Sequence, residues 1–251
     1  MEAIPVLDTN YVWALHDHEH ALLVDPGEAD APLQWLSDRN LQLTAVLITH
    51  HHWDHTGGID GIVGAHPVPV YGPEDGRIPQ IDRVVAEGDR VRLAAPAVDF
   101  QVLSVPGHTS IHLAFYGHRL LLCGDTLFSA GCGRLFEGTA EQMLESLDQL
   151  AALPGDTRVC CAHEYTLDNC RFALNVEPEN ERLRQRAEEA RRLRAARRIT
   201  LPSTIEQENA INPFLRVREA TVITAANQRE PGTGDDPAAV FAAIRRWKDS
   251  T

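Results

Sequence analysis

Hydrophobic and polar positions alternate in short runs over the first two thirds of the chain, and each run predicts a strand. Asn10 to Leu15 alternates, the polar run His16-Asp17-His18-Glu19-His20 turns, and Ala21-Leu22-Leu23-Val24 returns. That order predicts a hairpin, which Asp25-Pro26-Gly27 ends. Ala31 to Arg39 suits a short amphipathic helix. Thr44-Ala45-Val46-Leu47-Ile48 is apolar and rich in β-branched residues, so it reads as a buried strand. Thr56-Gly57-Gly58 reads as a tight turn into a helix. Further short strands are expected at Val68 to Tyr71, Arg83 to Val85, Val91 to Leu93 and Val98 to Val105. Ile111 to Tyr116 and Arg119 to Cys123 predict a hairpin around Gly117-His118. Thr139 to Leu153 carries apolar residues at helical spacing, with Thr139 as N-cap and Gln142 completing a capping box. Thr157 to Cys161 is the last expected strand.

After Thr166 the pattern becomes helical. Glu177 to Arg198 holds eight arginines among glutamates and predicts a long charged helix with a solvated face of i,i+4 ion pairs. Leu201 to Pro213 reads as a looping connector, and Val217 to Asn227 and Pro237 to Lys248 as helices. The chain therefore divides into residues 1–165, mixed strands and helices, and residues 166–251, helices alone. There is no solenoid repeat and no low-complexity tract.

The chemistry collects where strands end. Four of the twelve histidines fall within Thr49-His50-His51-His52-Trp53-Asp54-His55, directly after a predicted strand. Neutral imidazole and carboxylate are ligands that borderline divalent metals accept. His50 and His52, two apart, share one side of an extended segment, whereas Asp54 and His55 follow the change of direction. Four ligands from six residues would crowd one ion; two neighbouring ions, each taking two, are easier to build. His108 follows Pro106-Gly107, Asp125 follows Gly124, and His163 follows the last strand. In sheets with helical crossovers such strand-end residues gather at one edge. His16, His18 and His20 read as a solvated loop tip, His112 as a strand-surface residue and His118 as a turn residue.

Composition excludes several classes. No stretch approaches the eighteen apolar residues of a spanning helix. Met1-Glu2-Ala3-Ile4-Pro5 has no basic start and no long apolar core, so no signal peptide is expected. Five cysteines without CxxC spacing point to reduced thiols in a cytoplasm, and Cys123, Cys132, Cys160 and Cys161 read as packing residues. Net charge is −13, but residues 1–176 hold 9 basic and 24 acidic groups while residues 177–251 hold 14 and 12. The acidic excess argues against nucleic acid, and the basic share of the tail suits an anionic small molecule.

The order His50-x-His52-x-Asp54-His55, His108, Asp125, His163 resembles the metallo-β-lactamase superfamily. Four segments resemble glyoxalase II, the hydroxyacylglutathione hydrolases, within it. They are residues 49–58, Gly124-Asp125-Thr126-Leu127-Phe128, Gly131 to Thr139 and His163-Glu164-Tyr165-Thr166. Asn212-Pro213-Phe214-Leu215-Arg216 and Arg245-Arg246-Trp247-Lys248-Asp249 add to the likeness, which covers nearly the whole chain. It implies an α/β fold: an αβ/βα four-layer sandwich, residues 1–165, carrying a C-terminal α-helical substrate domain, residues 166–251.

The resemblance also implies two divalent ions per chain, zinc first, with iron or manganese as alternatives. His50, His52 and His108 would hold one, Asp54, His55 and His163 the other, and Asp125 would bridge them. The implied reaction is hydrolysis of S-D-lactoylglutathione to glutathione and D-lactate by a hydroxide shared between the ions, with Asp54 and Asp125 as catalytic carboxylates. Arg134, Phe136, Tyr165, Arg245 and Lys248 would contact glutathione; Phe136 departs from the tyrosine common in the family, and Ala162 from a common glycine. Arg245 and Lys248, three apart, would share a helix face toward one substrate carboxylate. The protein is expected to be a cytoplasmic monomer that meets neither membrane nor nucleic acid. Competing readings are a mono-iron persulfide dioxygenase, a lactonase or a non-catalytic metal-binding protein.

Overall fold

The computed structural model describes residues 1–251, which divide into two compact units. The first comprises Met1–Ser104, Ile111–Gly124 and Cys160–His163. It holds a six-stranded sheet of β1 (Glu2–Val6), β2 (Asn10–His16), β3 (His20–Val24), β4 (Gln42–Leu47), β5 (Val70–Gly72) and β6 (Arg83–Val84), in that order. β1 to β3 run antiparallel and β3 to β6 parallel. Each parallel step needs a crossover, and α1 (Asp30–Arg39) supplies the first. The one-turn α2 (Trp53–Thr56) and α3 (Ile59–Ala65) supply the second. Trp35 and Leu36 of α1 and Ile59 and Ile62 of α3 bury against Val12, Ala14, Leu23 and Val46. The opposite side chains of β2 and β3, Tyr11, Trp13 and Leu22, are buried too, so these strands have no wet face. A second, antiparallel meander follows: β7 (Arg90–Ala94), β8 (Ala97–Ser104), β9 (Leu113–Gly117) and β10 (Leu120–Leu122).

The second unit comprises Val105–Ser110, Asp125–Val159 and Glu164–Thr251. Its small hairpin pairs β11 (Leu127–Phe128) with β12 (Gly131–Cys132). α4 (Ala140–Ala151) starts at the expected capping box, Thr139 with Gln142. β13 (Arg158–Cys160) is followed by α5 (Thr166–Val176) and α6 (Glu181–Ala195). β14 (Ser203–Thr204) then pairs antiparallel with β13. α7 (Ile205–Ile211), α8 (Ala220–Arg229) and α9 (Pro237–Asp249) complete the chain. Phe172, Phe214, Phe241 and Trp247 form a chain of aromatic contacts that ties α5 to α9.

Three expectations need correction. Residues 201–213 are not a connector: Thr204 accepts from Gln207 N and caps α7, and the preceding pair of residues makes a strand beyond residue 166. The polar run Glu206-Gln207-Glu208-Asn209 hid this helix, because Glu208 is buried rather than solvated. The charged helix begins at Glu181, the ion pairs within it are i,i+3, and Arg186 is buried, donating to Thr200 O at 2.7 Å. β1 and the residues of β11 and β12 also went unread, since runs of two to five residues give little periodicity.

Candidate metal centre

Residues 49–55 leave the buried end of β4 and enter α2. Two glycines let α2 press on the loop after β3. A Cβ on Gly27 would lie 2.0 Å from Asp54 O, and one on Gly58 would lie 2.3 Å from Glu28 O. This close approach brings Asp25 to His55 and Thr49. Asp25 is buried, in the left-handed region with φ 52, and accepts from Thr49 N at 2.8 Å and Thr49 Oγ1 at 2.7 Å. His55 Nδ1 lies 3.1 Å from Asp25 Oδ2, so Nδ1 carries a proton to that carboxylate and Nε2 keeps the lone pair.

The other expected ligands of this unit follow the same logic. The Thr49 hydroxyl hydrogen is spent on Asp25, so toward His50 Nδ1, 3.0 Å away, it accepts. His50 therefore also presents Nε2. The His50 and His52 rings lie 4.7 Å apart, as expected for residues sharing one side. His163 is pinned by backbone: Tyr11 N donates to Ala162 O, and Asn10 and His163 form an isolated bridge. Its Nδ1 lies 3.0 Å from Thr9 Oγ1, and its Nε2 lies 3.4 Å from Asp54 Oδ2. His55 Nε2 is 3.5 Å from the same oxygen. Asp54, His55 and His163 thus bring three ligand atoms within 4.8 Å of one another. Asn10 Nδ2 donates to Asp54 Oδ2 at 3.0 Å and holds that carboxylate in place.

His112 is not a strand-surface residue. It precedes β9, is buried, and stacks on His50 with centroids 4.5 Å apart. Leu113 N donates to Thr49 O, which draws this segment alongside the histidines. His16, His18 and His20 do lie at a half-buried to exposed loop tip, with His20 beside Asp17.

In the second unit His108 Nδ1 lies 2.8 Å from Arg134 O. A carbonyl only accepts, so this histidine too presents Nε2, which lies 3.4 Å from Asp125 Oδ2. Two backbone bonds, Phe136 N to His108 O and Gly138 N to Gly107 O, zip residues 134–138 along this segment. His108 and Asp125 line a cavity of about 360 Å³ together with Arg134, Phe136, Tyr165, Arg245 and Lys248. All five residues expected to meet substrate therefore border one cavity with two of the expected ligands.

Their environments differ. Phe136, 61 % exposed, sets its ring edge against His108 at 5.3 Å. Tyr165 packs on Phe128. Arg134 Nε and Arg245 Nη2 both donate to Asp249 Oδ1, at 3.2 and 2.9 Å. Arg245 is buried, with Nη1 on Cys132 O at 3.0 Å and its Cζ 5.1 Å from the Phe214 centroid. Burial pushes the Lys248 ammonium down to about 8, and the neighbouring Arg245 adds to the shift. Sequence reasoning missed Thr9, Asn10, Asp25, Asp168 and Asn169. Asp25 carried the same signal as the named ligands, a carboxylate directly after a strand.

The sequence model of the metallo-β-lactamase superfamily matches residues 5–163, and that of the hydroxyacylglutathione hydrolase C-terminus matches residues 164–251. A hydroxyacylglutathione hydrolase of Idiomarina loihiensis is 50% identical over 252 residues, covering 100% of this chain and 99% of its own. The crystal structure of ETHE1 from Myxococcus xanthus superposes with a TM-score of 0.65 at 24% identity, covering 100% of this chain and 99% of its own, a likeness of fold alone. TTHA1623, solved in a di-iron-bound form, is 32% identical with a TM-score of 0.53, covering 61% of this chain and 87% of its own.

Proposed function

Because the chain belongs to the hydroxyacylglutathione hydrolases, within the metallo-β-lactamase superfamily, we propose that it hydrolyses glutathione thioesters, converting S-D-lactoylglutathione and water to glutathione and D-lactate. One observation carries the reading. A single cavity is bordered on one hand by His108 and Asp125 and on the other by Arg134, Tyr165, Arg245 and Lys248. It combines metal-ligand chemistry with cations suited to the carboxylates of glutathione. The readings as a persulfide dioxygenase, a lactonase or a non-catalytic metal binder find no such support in the full-length relatives.

In this reading His50, His52 and His108 hold one divalent ion and Asp54, His55 and His163 a second, with Asp125 common to both. Zinc suits this nitrogen and oxygen set, as do iron and manganese. The donor chemistry fits, since His50, His55 and His108 are fixed to present Nε2 and Asp54 Oδ2 sits between two imidazoles. Such ions, when bound, activate water and polarise the thioester carbonyl. The chain's own part is to orient and to bind. Asp54, held by Asn10, and Asp125, beside His108, are the catalytic carboxylates that keep the ligand geometry while charge develops. Lys248 and Arg245 attract a glutathione carboxylate, Arg134 flanks them, and Phe136 and Tyr165 offer apolar walls to the peptide. The functional division then follows the two family matches: a catalytic part, residues 1–165, and a substrate-binding part, residues 166–251.

The same reading places the protein in the cytoplasm as a monomer acting on a small molecule, away from membrane and nucleic acid. Its five cysteines are buried without a disulfide, its net charge is −13, and no helix is long and apolar enough to cross a membrane. Thioester cleavage measured with and without a chelator tests the function. Activity should vanish on chelation and return with added divalent metal; cleavage indifferent to chelation would refute it.

A further inference from the structure

The buried amide of Asn169 joins two parts of the substrate cavity. Asn169 stands on α5 and is 2 % exposed. Its Nδ2 donates to Ser129 O at 3.0 Å, and its Oδ1 accepts from Lys248 Nζ. Ser129 belongs to the turn Phe128-Ser129-Ala130-Gly131 between β11 and β12, in which Ala130 is left-handed with φ 55. Three buried side chains hold this turn by its backbone. Besides Asn169, Asn212 Nδ2 donates to Phe128 O at 3.1 Å and Gly131 O at 2.9 Å, and Glu208 Oε2 accepts from Ala130 N at 2.7 Å. Gly131 leaves no slack, because a Cβ there would lie 2.6 Å from Asn169 Nδ2.

The turn and the two cations are thereby one assembly. Cys132, next along β12, receives Arg245 through its carbonyl. Lys248 Nζ donates to Asn169 Oδ1 and lies 5.9 Å from the ring centroids of Phe172 and Phe214. Aromatic faces stabilise a cation without directing its hydrogens. Asn169 supplies the direction. Its neutrality matters as well: an amide orients the ammonium yet leaves its charge for a ligand, whereas a carboxylate here would neutralise it. Asp168, one residue earlier, pairs instead with Arg171 and is 74% exposed.

We propose that Asn169 is a positioning residue that aims the Lys248 ammonium into the cavity, and so sets the preference for thioesters whose thiol part carries a carboxylate. The proposal rests on the reading of Lys248 as a receptor for a glutathione carboxylate. Asn169 is expected to act through Lys248 and not on the reacting carbonyl.

The test uses the metal-loaded full chain and two lactoyl thioesters, one of glutathione and one of N-acetylcysteamine, which lacks carboxylates. The readout is the ratio of their kcat/KM values. Asn169→Asp, close in shape, should lower that ratio about tenfold, as expected for loss of one charge-assisted hydrogen bond. Asn169→Ala should lower it in the same direction. In a Lys248→Met background Asn169→Asp should leave the ratio where Lys248→Met alone put it, because the partner through which it acts is gone. A ratio unchanged by Asn169→Asp, or a further fall in the Lys248→Met background, overturns the proposal. The function itself fails differently: the unaltered protein would then show no preference for the glutathione thioester.

Discussion

Asp25 offers the sharpest separation of metal binding from folding. It is buried and accepts three hydrogen bonds, from Thr49 N, Thr49 Oγ1 and His55 Nδ1. Asp25→Ala would leave three donors facing no acceptor. At about 1–3 kcal/mol for each buried donor, partly relieved by rearrangement, roughly 3–6 kcal/mol is lost. That is a large part of a typical folding free energy, and Tm should fall by about 10 °C or more. Asp25→Asn behaves differently. Asparagine tolerates the left-handed φ of 52, its Oδ1 still accepts from Thr49 N, and the Thr49 hydroxyl can turn to accept from its amide. Stability should stay within about 1 kcal/mol of the parent. The new amide hydrogen, however, faces His55 Nδ1, which moves the imidazole proton to Nε2, the nitrogen directed at Asp54. Metal affinity should then fall about 10–100-fold, as when a ligand loses its outer hydrogen-bond partner. Metal content after dialysis against a weak chelator, read beside a calorimetric scan, distinguishes the cases. An Asp25→Asn protein that keeps its metal as firmly as the parent would refute the tautomer argument.

Four more outcomes are expected. Asp125→Ala should abolish hydrolysis and lower bound metal; retained activity removes the shared-ligand role. Lys248, pushed down to about 8 by burial, is charged below that pH and neutral above it. KM for glutathione thioesters should therefore rise with pH through about 8, with only about a tenth of the ammonium left at pH 9; a flat KM between pH 7 and 9 contradicts its role. Lys248→Gln should raise KM at little cost in stability, whereas Arg245→Gln should lower Tm as well, since it removes the buried donor to Cys132 O; equal Tm values would show that Arg245 has no structural task. Phe136→Tyr should lower KM by adding a donor to an exposed ring beside His108, and a higher KM would count against its place in the pocket.

Much of this was legible in the sequence because the elements are short, apolar and punctuated. Strand ends at Leu47, Ser104, Leu122 and Cys160 each precede an expected ligand by three or four residues. The capping box at Thr139 and Gln142 was readable because its two bonds are local. What escaped depends on contacts between distant segments. α7 was hidden because Glu208 serves the turn at Ala130, 78 residues away, so its face is polar and buried at once. His112 reads from the sequence as an outward strand residue, but Leu113 N donates to Thr49 O, and the His112 ring lies on His50. Arg245 and Lys248 looked alike, three apart on one helix, yet one is bound to the carbonyl of Cys132 and the other to an asparagine amide.

The ligand motif alone does not make a metal site, since any histidine offers two nitrogens and half the tautomers would point a proton at the ion. The choice is made by residues outside the motif. Asp25 sets His55, the hydroxyl of Thr49 sets His50 because Asp25 has already taken its hydrogen, and the carbonyl of Arg134 sets His108. Asp25 thus governs two of the proposed ligands, one directly and one through Thr49. Arg134 governs a proposed ligand, His108, by its backbone while its side chain reaches Asp249, which also holds Arg245. A change in the proposed substrate-binding loop is therefore also a change in the support of a proposed metal ligand. Substitutions of the Arg134 side chain should leave His108 in place, whereas an insertion that shifts the 134 carbonyl should release it, and metal content would tell the two apart.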